Sequence, residues 1–82
     1  MQTYQGWTNS ETWNTSLWIL NKYGLYKNIM RLYRGSRNEG DFADNIEHFI
    51  NIIWNEKTPD GYNLNPVNWM EISDSWYYEN SA

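Results

Sequence analysis

Between Asp41 and Glu56 the large apolar side chains recur with a helical period. Phe42, Ile46, Phe49, Ile50 and Ile53 fall on one face, and Ile52 and Trp54 widen it. A strand would alternate strictly and an unstructured segment would show no period, so this stretch predicts an amphipathic helix. A helix with one apolar face must bury it against another element. With only 82 residues available, those elements form one small domain, residues 1–82, burying about 60% of the surface that the unfolded chain exposes. The expected fold is all-α: a single-domain bundle of about four short helices around a tryptophan-rich interior.

Three further segments supply the partners. The first opens at Thr8-Asn9-Ser10-Glu11, which fits the S/T-x-x-E capping box, with Ser10 as a competing cap. Trp13, Leu17 and Leu20 form its apolar stripe, and Gly24 is placed to end it in the left-handed conformation. Trp18 stands about 100° round the helix from Leu17, beside Asn14 and Asn21. The second segment turns Leu25, Ile29 and Leu32 inward, with Tyr26 and Tyr33 at the edge. Lys27, Arg31 and Arg34 lie on its other face and Gly35 is its stop. Asp41 suits the N-cap of the isoleucine-rich helix, which ends near Glu56. Thr58-Pro59-Asp60-Gly61 reads as a turn. Asn65-Pro66 is placed to open a last helix with Trp69, Ile72 and Trp76 inward and Glu71, Asp74 and Tyr78 outward. Neither Tyr4-Gln5-Gly6-Trp7 nor Gly61-Tyr62-Asn63-Leu64 alternates cleanly enough to assign a hairpin.

Composition closes off several chemistries. The chain has no cysteine, which excludes disulfides, thiol nucleophiles, iron–sulfur clusters and the usual structural zinc sites. A mean hydropathy of -0.86 and the lack of a long apolar run exclude a membrane-spanning helix. The opening Met1-Gln2-Thr3-Tyr4-Gln5 lacks the regions of a secretory signal, so a cytoplasmic location is expected. Of the six tryptophans, Trp13, Trp69 and Trp76 are assigned to the core, and Trp7 to a staple on the first helix. The twelve asparagines fit an AT-rich coding sequence.

Charge is divided along the chain. Residues 1–37 carry five basic side chains and one acid, +4, whereas residues 38–82 carry nine acids and only Lys57, -8. Such asymmetry steers charged partners without dictating the fold.

The segment Gly6-Trp7-Thr8-Asn9-Ser10-Glu11-Thr12-Trp13-Asn14 resembles the GWTNxETW opening of a family of small proteins encoded by bacteriophages, plasmids and some bacteria. Leu17-Trp18 and Asn21 suit its continuation. Val67-Asn68-Trp69-Met70-Glu71-Ile72 is similar to the segment that often closes these proteins, with Ser73 where alanine is common. The resemblance implies a phage or mobile-element origin and a short helical fold. It carries over no catalytic residue, because the family is a domain of unknown function.

The residue inventory offers little to an enzyme. His48 follows Asp44 by four positions and reads as part of an exposed polar face, and a lone histidine cannot anchor zinc. No serine occupies a strand–turn–helix elbow, and the glycines are too scattered to cradle phosphate. The carboxylate pairs Asp41–Asp44 and Glu71–Asp74 would need a pocket to do acid–base work. Neither catalysis, a cofactor nor a metal is expected.

The leading expectation is a non-enzymatic accessory protein that binds a host protein. The target class is a nucleic-acid-handling or defence enzyme, inhibited through an acidic, aromatic-rich surface. The candidate contact residues are Trp18, Asp44, Glu47, Glu71, Asp74 and Tyr78. A second reading is a nucleic-acid-binding module using Lys27, Arg31, Arg34 and Arg37, with Tyr26 or Tyr33 stacking on bases. The net charge of -4 weighs against it. A third is a structural homo-oligomer that buries Trp18.

Overall fold

The computed structural model describes residues 4–80. Four helices follow one another: α1 (Ser10–Asn21), α2 (Tyr23–Gly35), α3 (Glu39–Trp54) and α4 (Trp69–Glu79). No strand forms among the described residues, only two isolated antiparallel bridges. The all-α expectation therefore holds.

Each helix contributes fully buried side chains to one core: Ile19 from α1, Ile29 from α2, Phe42, Ile46 and Ile50 from α3, and Ile72 from α4. Burying such a side chain stabilises the fold by about 1.5–3 kcal/mol. The interior is thus built on isoleucine, which corrects the tryptophan-rich expectation. Trp69 and Trp76 are buried, while Trp7, Trp13, Trp18 and Trp54 are only half-buried. Trp13 packs on Tyr4 and Tyr62 at ring-centroid distances of 5.0 and 6.4 Å. Where α2, α3 and α4 meet, Tyr33, Phe42, Trp76 and Tyr77 make ring contacts, the shortest being 5.0 Å between Tyr33 and Tyr77.

The helix starts differ from expectation, and asparagine is the reason. Asn9, Asn38 and Asn68 cap α1, α3 and α4, accepting from the backbone N–H of Thr12 (2.8 Å), Asp41 (2.9 Å) and Glu71 (3.0 Å). Asn9 displaces the expected Thr8 and Ser10 caps because it lies three residues before Thr12, whose hydroxyl it also binds. Asp41 is not the cap of α3 but the residue that the cap binds. Asn65-Pro66 does not open α4, since the chain first turns there, with Val67 N–H donating to the Leu64 carbonyl at 3.1 Å. Buried Val67 draws the chain inward before Asn68 starts the helix. Three of the asparagines credited to composition are therefore structural.

Gly24 does not terminate α1. It lies inside α2, and α1 stops because Lys22 is extended, with φ -100° and ψ 108°. The α3 helix ends at Trp54, where Asn55 takes a positive φ of 66°.

The largest departure concerns the faces of α1. Its buried residues are Thr12, Asn14, Thr15, Ser16 and Ile19, whereas Leu17 and Leu20 are 40% and 53% exposed. The expected Trp13–Leu17–Leu20 stripe is turned outward. Thr12 and Asn14 face inward because the connection between α3 and α4 supplies hydrogen-bond partners for them. Residues 4–7 also form a tight reversal that alternation did not signal. Tyr4 and Trp7 exchange backbone hydrogen bonds of 2.6 and 2.8 Å across Gln5 and Gly6, both at positive φ. The turn at residues 58–61 forms as expected, with Gly61 N–H donating to the Thr58 carbonyl at 2.9 Å.

Candidate functional site

The conspicuous opening motif is occupied with holding the molecule together. Asn9 Nδ2 donates to the Pro66 carbonyl at 2.8 Å, and Thr8 N–H donates to Glu71 Oε1 at 3.0 Å. Thr12 Oγ1 donates to Asn9 Oδ1 and accepts from Asn68 N–H at 2.9 Å. Further along α1, Asn14 Nδ2 and Trp18 Nε1 both donate to Asp60 Oδ2, at 2.8 and 2.9 Å. Those two donors hold the Asp60 carboxyl below the usual carboxylate range, Asn14 contributing most. The 57–68 connection is thus clasped along α1, from Asp60 near its middle to Pro66 and Asn68 at its start. Trp18, a candidate contact residue, serves this clasp and packs edge-on against Trp54 at 6.3 Å. Glu71, another candidate, anchors Thr8.

Of the remaining acidic candidates, Asp44 lies near the start of α3, whereas Glu47 stands mid-helix and Asp74 in the second turn of α4. An open groove of about 730 Å³ runs between the starts of α3 and α4, lined by Arg37, Asp41, Asp44 and Met70 among others. Met70 is 43% exposed. Asp44 and Glu47 both stand exposed on the outer face of α3, one turn apart. The α3 and α4 helices are in contact where Ser73 Oγ donates to the Glu39 carbonyl at 2.7 Å. Beside that contact the Glu39 and Asp74 carboxyls lie close enough for one to donate to the other when it is protonated. The shared hydrogen bond, with lesser contributions from desolvation and the like charge, raises the Glu39 pKa above its ordinary value. Desolvation first, then nearby Tyr33, Glu39 and Asp41, pushes the Tyr77 phenol up.

Sequence reasoning missed Glu39 and Met70 as parts of this face. Neither belonged to a stripe or to a carboxylate pair, whereas Asp41 was legible both as a helix-start residue and as the partner of Asp44. Only the spacing of Asp41 and Asp44 hinted that carboxylates share this side, because the meeting of Glu39 with Asp74 depends on how α3 crosses α4. Tyr78 is 83% exposed on the outer side of α4.

Lys27, Arg31 and Arg34 are exposed on the face of α2 turned from Leu25 and Ile29. Lys27 Nζ sits 5.5 Å from the centroid of the Tyr23 ring. Arg37 does not extend this row: its guanidinium faces Asp41 at 3.7 Å. His48 and Asp44 are both exposed, and among the described residues no cluster of three metal-ligating side chains forms. Nor is any helix among them long and apolar enough to cross a membrane.

A family model matches residues 1–76, and the chain belongs to that family, described as a family of unknown function (DUF7249). No curated protein and no solved structure matches the chain.

Proposed function

We propose that this family member is a non-enzymatic accessory protein of a phage or mobile element that binds a host protein. The target class is a nucleic-acid-handling or defence enzyme, met and inhibited through the acidic α3–α4 face. The observation that carries this reading is the open groove where Asp44 and exposed Met70 come together beside the Arg37–Asp41 pair. It is flanked by the carboxyls of Glu39 and Asp74, which form no ion pair among the described residues. Crowding like charges works against the fold. Such crowding is useful where a cationic partner relieves it on docking. A nucleic-acid-handling enzyme presents a cationic surface of that kind. The internal hydrogen bonds of Asn9, Thr12, Asn14 and Trp18 support a structural role for the opening motif. The origin of the protein rests on the resemblance of that motif.

Capture from host lysate with the wild type and with an Asp44→Lys, Glu47→Lys variant tests the reading. A nucleic-acid-handling protein retained by the wild type and lost by the variant supports it, and equal recovery defeats it. The exposed row of Lys27, Arg31 and Arg34 favours nucleic-acid binding as the second reading. Gel-shift titration decides that question, because phosphate contacts make affinity fall steeply as salt rises. No shift at low salt removes it.

A further inference from the structure

We propose that a second groove, formed by Trp7, Leu20, Tyr26, Trp76 and Glu79, receives an arginine side chain of the partner protein. This deepens the protein-binding reading at a surface separate from the acidic face. The groove encloses about 500 Å³. Half-buried Tyr26 of α2 packs on Trp76 of α4 at 5.3 Å with the planes inclined by 35°, so buried Trp76 is the floor and Tyr26 supplies the accessible aromatic wall. The tight reversal of residues 4–7 brings in Trp7, and Leu20, which α1 leaves 53% exposed, forms an aliphatic rim.

None of the lining residues is basic, and Glu79 is the one carboxylate among them. The aromatic faces and the carboxylate therefore give the groove one electrostatic sign. A cation fits that field, and the flat surface selects its shape. Guanidinium is planar, weakly hydrated and stacks on aromatic rings, whereas ammonium is a compact, strongly hydrated charge. An arginine with an apolar neighbour would match both the aromatic wall and the Leu20 rim. Trp, Tyr and Arg are also the side chains on which protein interfaces concentrate their energy.

The test titrates the full chain with N-acetyl-arginine amide and follows the indole N–H signals of the tryptophans by NMR. N-acetyl-citrulline amide, of the same shape without the charge, is the control. The expected result is saturable, millimolar binding that moves the Trp7 and Trp76 signals and is absent with the citrulline compound. Replacing the surface carboxylate, Glu79→Gln, weakens it by about two- to five-fold. Equal shifts with the citrulline compound, shifts centred elsewhere, or an unchanged affinity in Glu79→Gln overturn the proposal. Self-association of the wild type that Glu79→Gln abolishes would assign the groove to a second copy of the chain, and also overturns it. The titration leaves Asp44 and Glu47 intact, so its failure is distinguishable from failure of the acidic-face reading.

Discussion

Thr12 and Thr15 are both fully buried on α1, but only Thr12 has hydrogen-bond partners. The same substitution is therefore expected to act in opposite directions at the two positions. Thr12→Val removes the acceptor for Asn68 N–H and the donor to Asn9, and should cost about 1–3 kcal/mol. Thr15→Val removes an orphaned hydroxyl with little change of shape and should add about 1 kcal/mol. Urea unfolding of the two variants measures both. Asp60 makes a pH-dependent contribution. Its folded pKa lies below the ordinary 3.8, so the stability it confers is present above that value and is lost as pH falls through the folded one. Asp60→Ala should melt below the wild type at pH 7, and the gap should narrow in strong acid. Thermal melts followed by circular dichroism across that range provide the check.

The contrast between α3 and α1 shows what makes an element legible. Phe42, Ile46 and Ile50 are apolar and buried, so their period revealed the core face of α3, although Ile53 and Ile52 of the expected stripe, in the last turn of the helix, stand 45% and 67% exposed. On α1 the period pointed the wrong way. The partners of Thr12, Asn14 and Trp18 lie 42 to 56 residues ahead in the sequence, and no local pattern announces a contact at that distance. The acidic site was legible in part, since Asp44 and Glu47 follow from helical spacing. Glu39 joined Asp74 only through packing. The inverted α1 makes a direct prediction. Leu20→Lys should change stability by less than about 0.5 kcal/mol, as for other surface positions. Its neighbour Ile19, fully buried, should cost about 2–5 kcal/mol when cut to alanine. Denaturant midpoints of the two variants would reverse this order if Leu20 were the core residue.

Across the whole molecule, the basic N-terminal and acidic C-terminal parts remain largely unpaired, and among the described residues the one ion pair is Arg37 with Asp41. The α3–α4 contact responds to pH as a result. The folded pKa of Glu39 is raised above the ordinary 4.5, so stability from its bond to Asp74 is full below that value and fades as pH rises through the folded one. Glu39→Gln should raise the melting temperature at pH 7 relative to the wild type and flatten its dependence between pH 4 and 7. Scanning calorimetry at several pH values tests this. The two extremities of the described chain also converge, because Trp7 and Asn80 line the same groove. A fluorescent or affinity handle fused at either extremity would therefore crowd the arginine site and dull the assay built to find it. Labels attached through Lys27, on the outer face of α2, leave that doorway open.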